Sequence, residues 1–426
     1  MIARRNQLFT ILIALMAWAC FYTWEQLNPA PPDQNHTVST LTQSMLTQCV
    51  GRLLIDLPVG TTWAAQASTA QLAHLKISVK TGVSAQQYIH RVETRWKEIQ
   101  AIKSDNFGAP YLRPSERIST HEGGVVFAYE YESIDSLAED DKTLVKKLFH
   151  QAEGFLLRNE TLFEFTPSNN SKDIIPALFP RLHARADDEF PTRPGLCLSG
   201  AFIDDYYDLS QGDEEEVSWR FNLPLNLNLI IRHSKIWQPA ESLLQRDKSS
   251  LGEAISYMAF TPESKDKYKQ HEFRRAERQV GDLKGEEGVS GATEGESKFG
   301  YKTSISGVWE FPGLIMPSPQ PRVSVRLTTP EYSTTSAPIP GGGFPVHDDL
   351  SDGPNEEQFF EIWNAIIESV RFRPGALAPP PSGGNPVNKP SSPMISSYAP
   401  TPVVDDYALE EFLINSQTSS NWMDEL

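Results

Sequence analysis

Basic residues are scarce. Against 55 Asp and Glu stand 38 Lys and Arg, a net charge of −17. Phosphate binding runs on clustered Lys and Arg. Nothing longer than pairs such as Lys146-Lys147 or Arg274-Arg275 occurs, so nucleic acid is a poor partner. The nine histidines stand singly, without metal-ligand spacing. There is no Gly-x-x-x-x-Gly-Lys phosphate cradle; Gly341-Gly-Gly343 runs into Phe344 and Pro345 and reads as a loop. Catalytic motifs occur only as fragments. Gly288-Val-Ser-Gly291 begins a nucleophile elbow, but Ala292 stands where the last Gly belongs, and the segment reads as a Gly- and Glu-rich loop. His121-Glu-Gly-Gly124 opens like a zinc-protease helix, but Val125 follows and the second His is missing. Acidic groups at 139–141, 204–205, 213–216 and 348–349 suit solvated loops better than calcium or a carboxylate pair. No catalytic residue, metal or cofactor is expected, and the chain reads as a non-enzyme.

Long apolar runs are missing too, with one exception. Arg4 and Arg5 precede an uncharged stretch from Leu8 to Trp24, at the short edge of what crosses a bilayer. Positive charge before it and Glu25 after it predict an N-in orientation with the bulk of the chain exported. Ala17-Trp18-Ala19 has the small-x-small form of a signal-peptide cleavage site. Phe21, Tyr22 and Trp24 instead prolong the apolar character, as an uncleaved membrane anchor would. Residues 1–24 are read as signal peptide or anchor. Only three cysteines occur. Cys20 belongs to this leader. Cys49 and Cys197 remain, either as a disulfide in an oxidising compartment or as two buried thiols packed as small hydrophobes.

What is present is a pattern that occurs twice. Residues 25–40, with Pro29, Pro31 and Pro32, read as a linker. Residues 376–426 read as a Pro/Ser-rich flexible tail with a short acidic helix at 407–414. Between them, 41–193 and 194–375 read as two domains. The first has alternating strands at 51–58 and 74–80, then a helix over 84–102 with Ser84 at its N-cap and Tyr88, Val92, Trp96 and Ile99 on one face. Strands at 124–132, 154–158 and 161–166 follow, then a helix over 171–186. The second has strands at 217–224 and 226–233, a helix over 239–253, and strands at 273–283, 301–311 and 322–328. A closing helix over 355–370 carries Phe359, Phe360, Trp363, Ile366 and Ile367 and is stopped by Pro374. Strand runs interrupted by two helices predict an α+β fold: two tandem domains, each a mainly antiparallel sheet covered by helices. Near the start of the second domain, Asp204, Asp205, Tyr206 and Tyr207 combine rigid aromatic area with charge. That is the composition of a partner-binding loop, or of a simple connector.

Four segments in order carry a resemblance: Gln48–Pro58, Pro194–Ile203, Gly281–Glu287 with Val308-Trp-Glu310, and Trp363–Pro374. Over residues 41–375 the chain resembles the two-domain immunity proteins of type VI secretion lipase effectors. The resemblance implies a periplasmic antagonist whose two α+β domains grip a phospholipase effector like a clamp and obstruct access to its Ser-based site. It implies no contact residues, because the shared motifs are strand and turn segments. Cys49 and Cys197 fall inside two of these motifs, which favours their pairing. The long tail and the apparent anchor, which would tie the protein to the inner membrane, depart from the family pattern. A non-catalytic envelope-associated structural or binding protein is the alternative expectation, and an envelope hydrolase a weaker one.

Overall fold

The computed structural model describes residues 40–380, apart from 73, 105–110, 113–114, 138–143, 209–213, 239–240, 247–267, 297–299 and 335–352. The expected leader, nearly all of the linker and most of the tail lie outside the described residues. Among those described, no helix is long and apolar enough to cross a membrane.

In chain order the first half contains α1 (Thr40–Gln43), β1 (Met45–Val50), β2 (Leu53–Pro58), β3 (Thr62–Leu72), β4 (Leu75–Lys80), α2 (Ala85–Gln100), β5 (Lys103–Ser104), β6 (Tyr111–Leu112), β7 (Ser115–Ser119), β8 (Val125–Leu137), β9 (Leu144–Arg158), β10 (Thr161–Asn169) and α3 (Ile174–Leu178). There follow β11 (Leu182–Ala184), β12 (Gly195–Leu198), β13 (Ala201–Asp204), β14 (Glu215–Asn222), β15 (Asn228–Ser234), β16 (Tyr268–Val280), β17 (Leu283–Glu296), β18 (Gly300–Phe311), β19 (Arg322–Thr328), β20 (Tyr332–Thr334), α4 (Glu356–Ser369) and β21 (Arg371–Phe372).

Strands dominate and run antiparallel, as expected, but the two halves do not keep separate sheets. One sheet of thirteen strands runs β16-β17-β18-β19-β15-β14-β3-β4-β10-β9-β8-β7, with β20 on β18. The seam is β14 on β3, from Glu215 opposite Leu72 to Asn222 opposite Thr62. Sequence reading misses β3 because Thr-Trp-Ala-Ala-Gln-Ala-Ser-Thr-Ala-Gln-Leu has too few large apolar residues to show a period of two. Trp63 anchors it: its ring lies 4.8 Å from Trp219 and 4.7 Å from Phe221, both on β14. Two small sheets, β1-β2-β21 and β11-β13-β12, lie beside the seam.

The helices follow from their caps and stripes. Ser84 accepts a hydrogen bond from the Gln87 N–H, and the Gln87 side chain accepts from the Ser84 N–H, a reciprocal cap that starts α2. Its apolar face covers a satellite core of Val125, Phe127, Tyr129 and Phe155, with Trp96 stacked on Phe127 at 5.1 Å. Asn355 and Gln358 cap α4 in the same way. Phe359, Ile362, Trp363, Ile366 and Ile367 are buried in the main core. Gly307 on β18 lets the Trp363 ring approach; a Cβ there would stand 3.2 Å from it.

Three expectations are corrected. The helix over 171–186 shrinks to α3 and a 3-10 turn, because Pro176 and Pro180 remove backbone donors, and Leu182–Ala184 becomes a strand. The closing helix ends before Pro374: Val370 is already extended, and Arg371–Phe372 pairs with Leu53-Leu54 on β2. Gly288-Val-Ser-Gly291 is not a loop but part of β17, in register with Ile305–Val308 of β18. Of the helix expected over 239–253, residues 243–246 are helical and most of the rest lies outside the described residues.

Candidate partner-binding surface at the seam

The seam is held by a staple and three buried arginines. Cys49 at the end of β1 and Cys197 on β12 form a disulfide, and both are fully buried. Gly51 then exchanges two backbone hydrogen bonds with Cys197, each 2.9 Å. Gly51 has φ +56, and a Cβ on it would stand 1.9 Å from His233 Nε2. Only glycine lets the turn between β1 and β2 pass so close to β15.

That turn delivers Arg52 into the interior. Its Nε donates to Glu215 Oε1 at 2.7 Å and its Nη2 to Glu215 Oε2 at 2.6 Å, a two-pronged pair with both side chains fully buried. Arg52 also donates to Asp205 Oδ2 at 2.8 Å, the Asp205 carbonyl at 3.1 Å and the Ala376 carbonyl at 2.5 Å. The Arg52 N–H donates to His233 Nε2 at 3.1 Å. The ring of Tyr207 packs against the Arg52 guanidinium at 5.0 Å and against Lys235 Nζ at 4.7 Å. One side chain from the first half thus gathers acids and carbonyls from the second.

Arg185 donates to the carbonyls of Leu198, Ala201, Ala186, Asp187 and Glu189. Arg373, after α4, donates to those of Pro191, Arg193 and Gly195. The connector 185–195 is therefore threaded onto guanidinium groups, which supply several donors in a fixed fork.

Electrostatics follow from burial. Burial would raise the Glu215 carboxyl, but Arg52 outweighs it and holds it below the usual carboxylate range. Burial also works against the charge of Arg52, yet Glu215 and Asp205 hold it protonated. Burial pushes His233 down to about 4, so it is neutral near neutral pH. Burial, with Arg52 and Arg185 nearby, lowers Arg373 to about 10.

The four loop residues singled out in the sequence separate here. Asp205 serves the interior, paired with Arg52 and Arg181, and Tyr207 is 1% exposed. Asp204 is half-exposed between Arg193 at 2.8 Å and His183 at 2.6 Å. Tyr206 is 46% exposed. The connector runs alongside, Asp205 N–H donating to the Pro194 carbonyl at 3.3 Å, and places Phe190 on the surface at 43% exposure. Sequence reading missed Arg52, Glu215 and His233. The available signal was a charge, Arg52, inside the apolar run Cys-Val-Gly-Arg-Leu-Leu-Ile. Among the described residues no cluster of His, Cys, Asp or Glu could hold a metal ion. His121 sits in an exposed turn against Glu122.

Residues 46–164 match the Tle cognate immunity protein 4 N-terminal domain, and residues 189–375 match the C-terminal domain of the same family. The chain belongs to this family of immunity proteins. Its fold is similar to a chain in "The crystal structure of Tle4-Tli4 complex", at 18% identity and a TM-score of 0.56, covering 78% of this chain and 99% of that one. It is also similar to the apo immunity protein TplEi of the type VI secretion system of Pseudomonas aeruginosa, at 18% identity and TM-score 0.54, covering 80% and 99%. The same TplEi complexed with an "L" peptide gives 18% and 0.53, covering 78% and 99%. No curated protein matches this chain. The family match fits the seam: both matched regions contribute strands to one sheet, joined between β3 and β14.

Proposed function

We infer that this protein is a periplasmic immunity protein that binds a type VI secreted phospholipase effector and occludes it without chemistry of its own. Family membership of both halves is the observation that carries this reading. A chain of similar fold was solved within a Tle4–Tli4 complex, which supports an effector as the partner class. Residues 1–24 deliver the chain to the periplasm as a signal peptide or hold it to the inner membrane as an anchor. Residues 41–193 and 194–375 act as two arms braced at the seam. Exposed Tyr206 and half-exposed Asp204, with Arg193 of the connector paired to Asp204, form the surface available to the effector. They combine the aromatic and arginine character that dominates binding energy at interfaces. Asp205 and Tyr207 support that surface from behind.

The test is co-purification with full-length protein as bait. A Ser-lipase is expected in equal amount, with affinity of about nanomolar order for an interface built by two arms. Its activity should return when the complex is dissociated, because occlusion leaves the enzyme unmodified. An enzyme that stays inactive after separation would contradict occlusion. A folded bait that recovers no lipase from effector-expressing cells would favour an envelope-binding role. Tyr206→Ala should weaken capture about ten-fold without changing the melting temperature.

A further inference from the structure

A recess opens between the β9–β10 turn and β11. Arg158, Asn159, Pro180, Leu182, His183 and Ala184 line about 210 Å³. That is below the usual range for a small-molecule pocket and enough for one side chain. Its walls follow from local structure. Asn159 and Glu160 both have left-handed backbone, at φ +45 and +62, so β9 turns into β10 over two residues and Arg158 pairs with Thr161. The Val83 N–H donates to the Glu160 carbonyl at 2.9 Å and ties the turn down. On the other side, His183 stands on β11, an edge strand of the small sheet β11-β13-β12, in register with Phe202.

No carboxylate lines the recess. In a chain with 55 acids against 38 bases, exposed arginines elsewhere are taken. Arg117 is held by Glu93 at 2.7 Å, Arg193 by Asp204 at 2.8 Å and Arg371 by Asp56 at 3.2 Å. Arg158 is half-buried, and among the described residues its one hydrogen bond runs from Nη1 to the Glu122 carbonyl at 3.0 Å. Most of its guanidinium fork is unspent. His183 Nε2 meets Asp204 Oδ2 at 2.6 Å, and its Nδ1 has no partner among the described residues. An arginine fork beside a ring nitrogen and the Asn159 amide, with Leu182 and Ala184 next to them, suits a carboxylate on a short methylene stem.

The recess is continuous with the surface offered to the effector. Asp204 joins His183 to Arg193, and Tyr206 follows two residues on. Arg158 lies within the matched N-terminal domain, whereas Pro180, Leu182, His183 and Ala184 lie in the stretch between the two matched regions. We propose that this recess receives an aspartate or glutamate side chain of the bound effector, its carboxylate paired with the Arg158 fork. This rests on the immunity reading and adds to it the chemistry of one contact. On a chain of net charge −17, an acid accepted at this one place fixes the partner's register and disfavours partners whose acids fall elsewhere.

The test uses the full-length protein and the lipase it captures from effector-expressing cells. Arg158→Lys puts a primary amine in the recess, and a water-soluble carbodiimide joins that amine to a carboxylate in contact with it. Mass spectrometry should find position 158 linked to one Asp or Glu of the lipase. Arg158→Gln should weaken capture about ten-fold at an unchanged melting temperature, while Arg158→Lys keeps most of the affinity. A captured lipase with no link to position 158, or one that the Arg158→Gln variant holds as tightly as the wild type, would overturn the proposal and leave the immunity reading intact. Wild-type protein that captures no lipase would overturn both.

Discussion

The seam and the α2 face both set arginines against glutamates, yet they use these pairs differently. Under α2, Arg95 holds Glu153 at 2.7 Å, and Arg91 with Lys80 holds Glu164. The carboxylates there are mostly buried, but the cations come in from solvent and are a third to a half exposed. At the seam both Arg52 and Glu215 are sealed from water, and the Asp205 carboxylate and two carbonyls take the remaining guanidinium hydrogens. Water can replace a partner lost at α2 but cannot reach the seam. The lesson is that a buried ion pair adds little stability over an apolar equivalent, yet makes the arrangement intolerant of any change.

The largest effect that tests this contrast is Arg52→Met. It removes both hydrogen bonds of the buried Glu215 carboxylate, leaving it facing Lys235 Nζ at 3.9 Å, and should cost about 3–5 kcal/mol in denaturant unfolding. The double variant Arg52→Met with Glu215→Leu should recover much of that loss. A single substitution costing under about 1 kcal/mol would erase the distinction between the two regions. Next comes the staple. The Cys49–Cys197 bridge closes a loop of 148 residues' separation, so Cys197→Ser should cost about 4 kcal/mol by constraining the unfolded chain less. The unfolded, unreduced wild-type chain should show no reactive thiol at either position; labelling of both would break the reading.

Acid should distinguish the regions a third way. His233 is held neutral by burial, with its pKa lowered from 6.5 to about 4. The unfolded chain takes up this proton below about pH 6.5 while the folded chain does not, so stability present above 6.5 is lost as pH falls toward 4. The loss is about 3 kcal/mol across that window. Unfolding free energies measured between pH 7 and pH 4 should show this slope, and His233→Gln should flatten it. A wild-type profile that is level in this range would place His233 outside the titrating set. The smallest effect is at α2: Arg95→Ala, whose cation is already partly hydrated, should cost about 1 kcal/mol or less in the same assay.

Much of the fold was legible. The cap at Ser84 and the apolar stripes over 84–102 and 355–370 placed two helices, because a helix writes its period into adjacent residues. The strands with large alternating residues, such as Leu-Lys-Ile-Ser-Val-Lys and Arg-Val-Ser-Val-Arg-Leu-Thr, were equally readable. Within the candidate site the loop 204–207 could be picked out by composition. Composition could not divide it, however, because adjacent Tyr206 and Tyr207 look alike until one side chain points outward and the other meets Arg52.

By itself the sequence determined the strand-rich character, the two long helices and, through four ordered motifs, the family. These depend on neighbours along the chain and on the types of residue present. Only the tertiary structure decided that the two sheets are one, that β3 is the joining strand and that Arg52 belongs to Glu215. Those outcomes pair residues far apart in the chain, chosen by hydrogen-bond geometry and exclusion of water at a seam. No local pattern of side chains encodes which distant edge a strand will meet.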